Sequence, residues 1–297
     1  MAATSAQELI QSYYGKYAKA NTESTDLSAY SERVASAFGY SAKDLASLPG
    51  VANLGVSCGN PLATANLKEG EIVIDLGSGG GLDVFIAARK VGPKGKAIGI
   101  DITQEMIDLA NKNATLGCYT NHQVKSNITS TPQLPPSTAD VITSNCVINL
   151  LPHTEKPLVF TEIYRLLKPG GRVAISDILA KKELPEEFRA DATLYVGCIS
   201  GTSLTLEYEE WMRGAGFEDV LILDTNKDLN VYKEGMMNET EEGVAMANKS
   251  CCTPEAVTSC CSVDTAKAGV KININNYDFN EWVGAFQIYA IKPAHSE

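Results

Sequence analysis

Cysteines are the residues in this chain most able to do chemistry: Cys58, Cys118, Cys146, Cys198, Cys251, Cys252, Cys260 and Cys261. A small secreted domain would use them as a disulfide framework. Residues 1–20 hold neither a basic leader nor an apolar signal core, so the expectation is a cytoplasmic, reducing setting. There, free thiols bind soft metals or metalloids, act in catalysis, or pack as small hydrophobes. Taken alone, Cys118, Cys146 and Cys198 fit the last reading as well as the others. The pairs Cys251-Cys252 and Cys260-Cys261 lack the C-x2-C spacing of a zinc ribbon. They read equally as a capture site for a thiophilic ion and as an oxidisable loop. Histidine adds little: His122, His153 and His295 are the full set, and none stands in a motif that suits a general base.

A second concentration of functional residues is Ile74-Asp75-Leu76-Gly77-Ser78-Gly79-Gly80-Gly81. Its glycines permit a tight turn and let a ligand approach the backbone closely. An acid, Asp101, ends the next apolar run. A dinucleotide fingerprint would give a similar turn with an acid about 20 residues on. The sixth position of that pattern, counted from Gly77, is however Leu82 and not glycine. Asp101 can also be read as a helix cap, and nearby Met106 as plain core.

The elements that must position these groups follow from periodicity. Residues 6–20 and 26–37 read as helices, with Leu9, Ile10, Tyr13 and Tyr17 on one face of the first. Ser41 and Asp44 form a possible capping box. Residues 49–61, punctuated by Gly and Pro, read as a loop that carries Cys58. From residue 70 strands and helices alternate. Strands are expected at 71–75, 96–101, 122–126, 139–143 and 172–176, and helices after Gly81, at 104–113 and at 154–167. Lys168-Pro169-Gly170-Gly171 stops the last helix. Residues 185–200 and 207–214 read as helices, 220–223 as a strand, and 282–292 as a terminal strand. Such βαβ alternation implies an α/β fold with a mainly parallel sheet and helices on both faces.

Composition limits the partners. The net charge is −11 and the pI about 4.9, which argue against a nucleic-acid track and against an anionic membrane surface. No run approaches the 18 or so apolar residues of a membrane span.

The pattern Asp-x-Gly-x-Gly-x-Gly at Asp75–Gly81 resembles the first motif of class I S-adenosylmethionine (SAM) methyltransferases. That resemblance implies a Rossmann-like fold with a mostly parallel seven-stranded sheet and a SAM cleft. It assigns Asp75, Gly77, Gly79 and Gly81 to the cofactor turn, and Asp101 to the ribose, whose two hydroxyls a carboxylate can accept. It places Met106 on the adenine and Asn127 and Ile128 at the adenine edge.

Three cysteine contexts make the resemblance more specific. Cys58 in SCGNPL, Cys146 in NCVINL and Cys198 in GCISG are similar to the arsenite methyltransferase family, together with FTEIYRLLKPGG and the stretch Ile102–Ile107. The likeness runs from about residue 50 to 217, and the terminal DFNEWVGAFQIYAIKP resembles fungal-type members. It implies that Cys58, Cys146 and Cys198 hold trivalent arsenic and are the catalytic residues, with Gly59 and Gly201 letting their loops close. It also implies glutathione or thioredoxin as thiol reductant and co-substrate. Independently, trivalent arsenic prefers soft thiolates, and its lone pair can take a methyl group with no proton to remove. The family usually carries a further cysteine in the N-terminal helical region that pairs with the counterpart of Cys58. Residues 26–38 contain none. The implied organisation is an N-terminal helical cap and arsenic-site loop (1–67), a SAM-binding core (68–225) and a small C-terminal domain with a cysteine-rich loop (226–297). Two other readings stay open: a SAM methyltransferase of a small organic metabolite, and a thiol-rich arsenic binder without activity.

Overall fold

The computed structural model describes residues 6–21, 25–119, 122–189, 191–233 and 273–294. Helices α1 (Ala6–Asn21), α2 (Thr25–Ala37), α3 (Ala42–Leu45) and α4 (Pro61–Ala65) precede strand β1 (Ile72–Leu76). Then follow α5 (Leu82–Val91), β2 (Lys96–Asp101), α6 (Gln104–Leu116), β3 (His122–Lys125), β4 (Ala139–Asn145), α7 (Lys156–Leu166) and β5 (Leu167–Ala180). The chain ends with α8 (Glu186–Arg189), α9 (Ala192–Val196), α10 (Thr205–Ala215), β6 (Val220–Asp224) and β7 (Val283–Ile291).

The seven strands lie in the order β3-β2-β1-β4-β5-β7-β6. Strands β1 to β5 pair in parallel, and β7 runs antiparallel between β5 and β6. The strand order reverses direction between β1 and β4. In open α/β sheets the crevice beyond the carboxyl ends of such a pair is where ligands bind. The glycine turn follows β1 and Cys146 follows β4, so both candidate motifs meet at that crevice.

The inner parallel strands β1, β2, β4 and β5 are largely buried on both faces, whereas the edge strand β6 exposes Leu221 and Leu223. Ile74, Leu76, Ile142, Val173 and Ile175 pack with Phe160, Ile163, Leu166 and Tyr208 in one core. Ser41 caps α3 by accepting the Asp44 N–H at 3.0 Å.

Three expectations need correction. Residues 185–200 are not one helix: Asp191 accepts the Leu194 N–H at 3.0 Å and starts a second short helix, α9. The fifth strand is longer than 172–176, since β5 spans Leu167–Ala180 and takes Lys168-Pro169-Gly170-Gly171 into an irregularity in its pairing with β4. Residues 283–291 do not belong to a separate C-terminal unit, because β7 lies inside the main sheet and pairs along nine residues of β5. Leu229 and Phe279 are also fully buried in the cluster that contains Cys58, Cys146 and Cys198. The tail cysteines Cys251, Cys252, Cys260 and Cys261 lie outside the described residues.

Candidate active site

The turn after β1 takes the shape its glycines allow. Gly77 has φ +74°, and a Cβ there would stand 2.3 Å from the Val147 side chain. No other residue could combine that dihedral with that approach. The backbone N–H groups of Gly77 and Ser78 both donate to the Ile100 carbonyl, at 2.7 and 2.9 Å, which locks the turn to β2.

Beside this turn lies a cleft of about 870 Å³. Gly77, Gly79, Asp101, Met106, Asn127 and Ile128 all line it, so six of the eight expected cofactor residues converge on one space. Asp75 faces a smaller adjoining hollow together with Gly77, Gly79 and Asp83. Gly81 lines neither; it forms the left-handed turn before α5, where a Cβ would collide with Phe85. Asp101 is fixed in advance: its carboxylate accepts the Gly79 N–H at 3.0 Å and the Thr103 N–H at 2.8 Å. Burial raises its carboxyl pKa, and these two bonds oppose the rise.

Asp75 is held by the Thr143 hydroxyl at 2.7 Å, and burial pushes its pKa well up. Asp83, also buried, is raised to about 6, mainly by loss of water and against the pull of hydrogen bonds from Tyr40 and Asn145. A cationic ligand group entering this hollow would meet two carboxyls that water does not solvate.

The three cysteines named from the sequence do come together. Cys58 comes from the loop before α4, Cys146 from the residue after β4, and Cys198 from the turn after α9, and all three are buried. Cys146 lines the cleft next to Val147 and Asn145; Cys58 and Cys198 lie behind it. The Cys198 thiol donates to the Cys146 carbonyl at 3.1 Å, and the Cys58 thiol to the Ser176 carbonyl at 3.5 Å. The Cys58 and Cys146 sulfurs lie within 4.8 Å of each other, and the Cys146 and Cys198 thiols each perturb the other's titration. Burial pushes the Cys58 thiol up to about 11, and the Asp177 carboxylate adds to the rise. Contact with Cys146 and then burial push Cys198 well up. Cys146 is raised as well: its bond from Cys198 lowers it, but Cys58 and burial outweigh that. These thiols are therefore protonated at neutral pH until something displaces the protons.

Cys146 and Cys198 both adopt left-handed backbone, with φ of +58° and +62°. That costs about 1 kcal/mol each for a residue with a Cβ. Exposed Cys118, φ +55°, does the same just after α6. It is therefore neither a buried hydrophobe nor near the cluster's burial. Gly59 and Gly201 are required by close packing. A Cβ on Gly59 would stand 2.5 Å from Ser176, and one on Gly201 would stand 2.1 Å from the Asn149 carbonyl. Both are glycine because the loops are already pressed against the sheet and the turn after β4.

Sequence reasoning missed a buried polar set behind the cysteines. The Sγ atoms of Cys58 and Cys146 and a carboxylate oxygen of Asp177 lie within 4.8 Å of one another. Asp177 accepts from Asn149 Nδ2 at 2.9 Å and from the Tyr208 hydroxyl at 2.9 Å, and burial raises its pKa to about 6. Asn149 also donates to the Cys198 carbonyl at 3.4 Å. Lys156 sends its ammonium to the Gly201 carbonyl and, at 2.9 Å, to the Ser203 hydroxyl. The only available signals were the amides within NCVINL and a strand that runs past Ser176. On the far wall, α1 lends Ile10 and Tyr14 to the cleft, and the Tyr14 hydroxyl donates to the Val196 carbonyl at 3.1 Å.

Residues 67–232 match the family described as a methyltransferase domain, and this chain belongs to that family. More particularly, it is similar to the arsenite methyltransferase of Halobacterium salinarum, 41% identical over 206 residues, which cover 65% of this chain and 52% of that protein. It is also similar to the arsenite methyltransferase of Aquipseudomonas alcaligenes, 36% identical over 228 residues, covering 73% of this chain and 63% of that protein. The chain thus spans between half and two thirds of the length of these curated relatives. Among solved structures, the [4+2]-cyclase SpnF superposes with a TM-score of 0.62 at 16% identity, covering 99% of this chain and 98% of the other, a likeness of fold alone.

Proposed function

We propose that this protein transfers methyl groups from SAM to trivalent arsenic held by Cys58, Cys146 and Cys198. The observation that carries the reading is a cluster of three buried thiols, one of which, Cys146, lines the same cleft as the methyltransferase glycine turn and Asp101. The similarity to arsenite methyltransferases supports it.

The chemistry balances with the thiols as they stand. Arsenous acid brings three hydroxides; each cysteine gives up its proton to one of them, and three waters leave as three As–S bonds form. The raised thiol pKa values are then no obstacle, because no free thiolate has to persist. The bound arsenic keeps a lone pair. Attack of that pair on the SAM methyl carbon forms the As–C bond and breaks the S–CH3 bond, so S-adenosylhomocysteine departs. No general base is required, which accords with a site rich in thiols and without histidine among its lining residues. Asp101 binds the ribose, Met106 packs against the adenine, and Asn127 and Ile128 lie along its edge. Transfer takes arsenic formally to the pentavalent state. Two electrons return it, and a pair of thiols supplies them by becoming a disulfide, with glutathione or a thioredoxin-like protein as the external source in a cytoplasmic setting.

Helix α2 packs in the Cys58 cluster with Tyr30 and Val34, followed by Phe38 just past its end, and presents no thiol there. Dependence on external thiols is accordingly stronger than in relatives with a cysteine on this helix. The deciding experiment incubates the protein with methyl-labelled SAM, arsenite and glutathione and separates the arsenic species. Label in methylated arsenic is expected. SAM binding with no transfer, or transfer only to organic acceptors, would overturn the proposal.

A further inference from the structure

Asn145 stands between the two halves of the site. It is the last residue of β4 and immediately precedes Cys146. Its side chain lines both the main cleft and the hollow that holds Asp75 and Asp83. Oδ1 accepts the Cys58 backbone N–H at 3.2 Å and faces the Cys58 thiol at 3.8 Å. Nδ2 is shared among the Gly59 carbonyl at 3.0 Å, the Tyr40 phenol oxygen at 2.8 Å and Asp83 Oδ2 at 3.2 Å. Tyr40 in turn donates to Asp83 Oδ1 at 2.7 Å.

This arrangement fixes which way the amide points. A flipped side chain would set its NH2 against the Cys58 N–H, and its carbonyl against the Gly59 carbonyl and the Asp83 carboxylate. The orientation is therefore dictated by five partners on three separate segments. The Cys58-Gly59 loop has nowhere else to go, since it is already in contact with Ser176 of β5. One amide thus ties the acid beside the glycine turn to the backbone that carries the outermost thiol in sequence, and it is bonded covalently to the residue that carries the second.

We infer that Asn145 is a positioning residue that fixes Cys58 beside Cys146 and couples occupancy of the nucleoside cleft to the affinity of the thiol site. The inference rests on the assignment of Cys58, Cys146 and Cys198 to arsenic. A ligand whose ammonium group pairs with Asp83 holds the Tyr40–Asp83–Asn145 network in one arrangement, and that arrangement is the one that holds Cys58 in place. Because the two sites share one side chain, the coupling is reciprocal: arsenite tightens the nucleoside as much as the nucleoside tightens arsenite. Methylarsenite has only two positions for thiolates. Cys146 and Cys198 supply both, so its binding does not pass through Asn145 and Cys58.

The test uses the full chain with Cys251, Cys252, Cys260 and Cys261 replaced by Ser, so that the tail thiols do not contribute. Arsenite and methylarsenite are titrated with and without S-adenosylhomocysteine, followed by fluorescence of Trp282, which packs against the cysteine cluster. With Asn145 in place, the nucleoside tightens arsenite by at least about fivefold, the lower end of ordinary coupling. Asn145→Leu weakens arsenite about tenfold and abolishes the coupling. Asn145→Asp keeps an acceptor for the Cys58 N–H but sets a charge against Asp83; it retains more arsenite affinity and still loses the coupling. Methylarsenite binding stays within about twofold in both, as expected for sites that do not share a partner. Thermal melting identifies a variant that fails to fold; should Asn145→Leu do so, Asn145→Asp decides. Coupling that persists in the variants, or equal loss of arsenite and methylarsenite, overturns the inference. Absence of coupling before any change at Asn145 overturns it as well. Failure of that parent protein to bind arsenite overturns the arsenic assignment itself.

Discussion

Asp101 illustrates how the backbone orients a single side chain at the cleft. Each of its oxygens already accepts one backbone N–H, from Gly79 and from Thr103, so the carboxylate is oriented before anything enters the cleft. Asp101 lines the cleft, where, on the proposed reading, a ribose would present two hydroxyls. Charge-assisted bonds of this kind contribute roughly 1.5–3 kcal/mol each. Asp101→Ala is therefore expected to weaken SAM binding by at least about tenfold, with arsenite binding unchanged. Calorimetry on the folded variant checks this, and unchanged SAM affinity would refute the ribose role. At this scale the sequence was informative where residue type alone restricts chemistry. Cys58, Cys146 and Cys198 could be picked out because few side chains bind a thiophilic atom and each stands in a distinctive context. Asp177 could not, because the apolar pattern of the fifth strand looked complete at Ser176. Asn145 and Asn149 stood in plain view within NCVINL, but an amide acquires a role only from partners such as Cys58, Tyr40 and Asp177, and those lie far away in sequence.

The elements work as rigid supports for loops that the chemistry uses. Strands β1 and β4 are neighbours with crossovers leaving in opposite directions, which opens the crevice; the alternation of strands and helices made that legible. The loops were less so. The break between α8 and α9 depends on one capping contact from Asp191, and the role of Gly201 depends on the Asn149 carbonyl lying where a Cβ would go. Helix α7 reaches the Cys198 loop through Lys156, whose ammonium bonds Gly201 and Ser203 in a nearly dry environment. Lys156→Met removes the donor and leaves those acceptors unmatched, at a cost of about 1–3 kcal/mol for each buried group stranded. The expected result is a clear fall in the denaturant midpoint together with weaker methylarsenite binding, since the loop carries Cys198. A variant with an unchanged midpoint and unchanged methylarsenite affinity would show that Lys156 does not hold the loop.

Over the whole molecule, one sheet carries both the glycine turn and the Cys146 loop, and segments from before β1 and after β6 pack around them. Helix α1 lines the cleft, and α2 together with Leu229, Tyr232, Phe279 and Trp282 packs in the cluster that holds the thiols, Phe38 stacking on Tyr232 at 5.5 Å. That last packing was hidden in the sequence, because a terminal strand such as β7 does not announce that it will insert between β5 and β6. Among the described residues no helix is long and apolar enough to cross a membrane. If arsenic is methylated on Cys58, Cys146 and Cys198, as proposed, the three differ by the number of thiolates each substrate needs. The most direct measurement compares Cys58→Ser, Cys146→Ser and Cys198→Ser for methylation of arsenite and of methylarsenite under one reducing condition. Cys58→Ser should lose arsenite methylation yet retain a substantial part of methylarsenite methylation, while Cys146→Ser and Cys198→Ser should lose both. A Cys146→Ser protein that methylates arsenite at a near-normal rate would contradict the account.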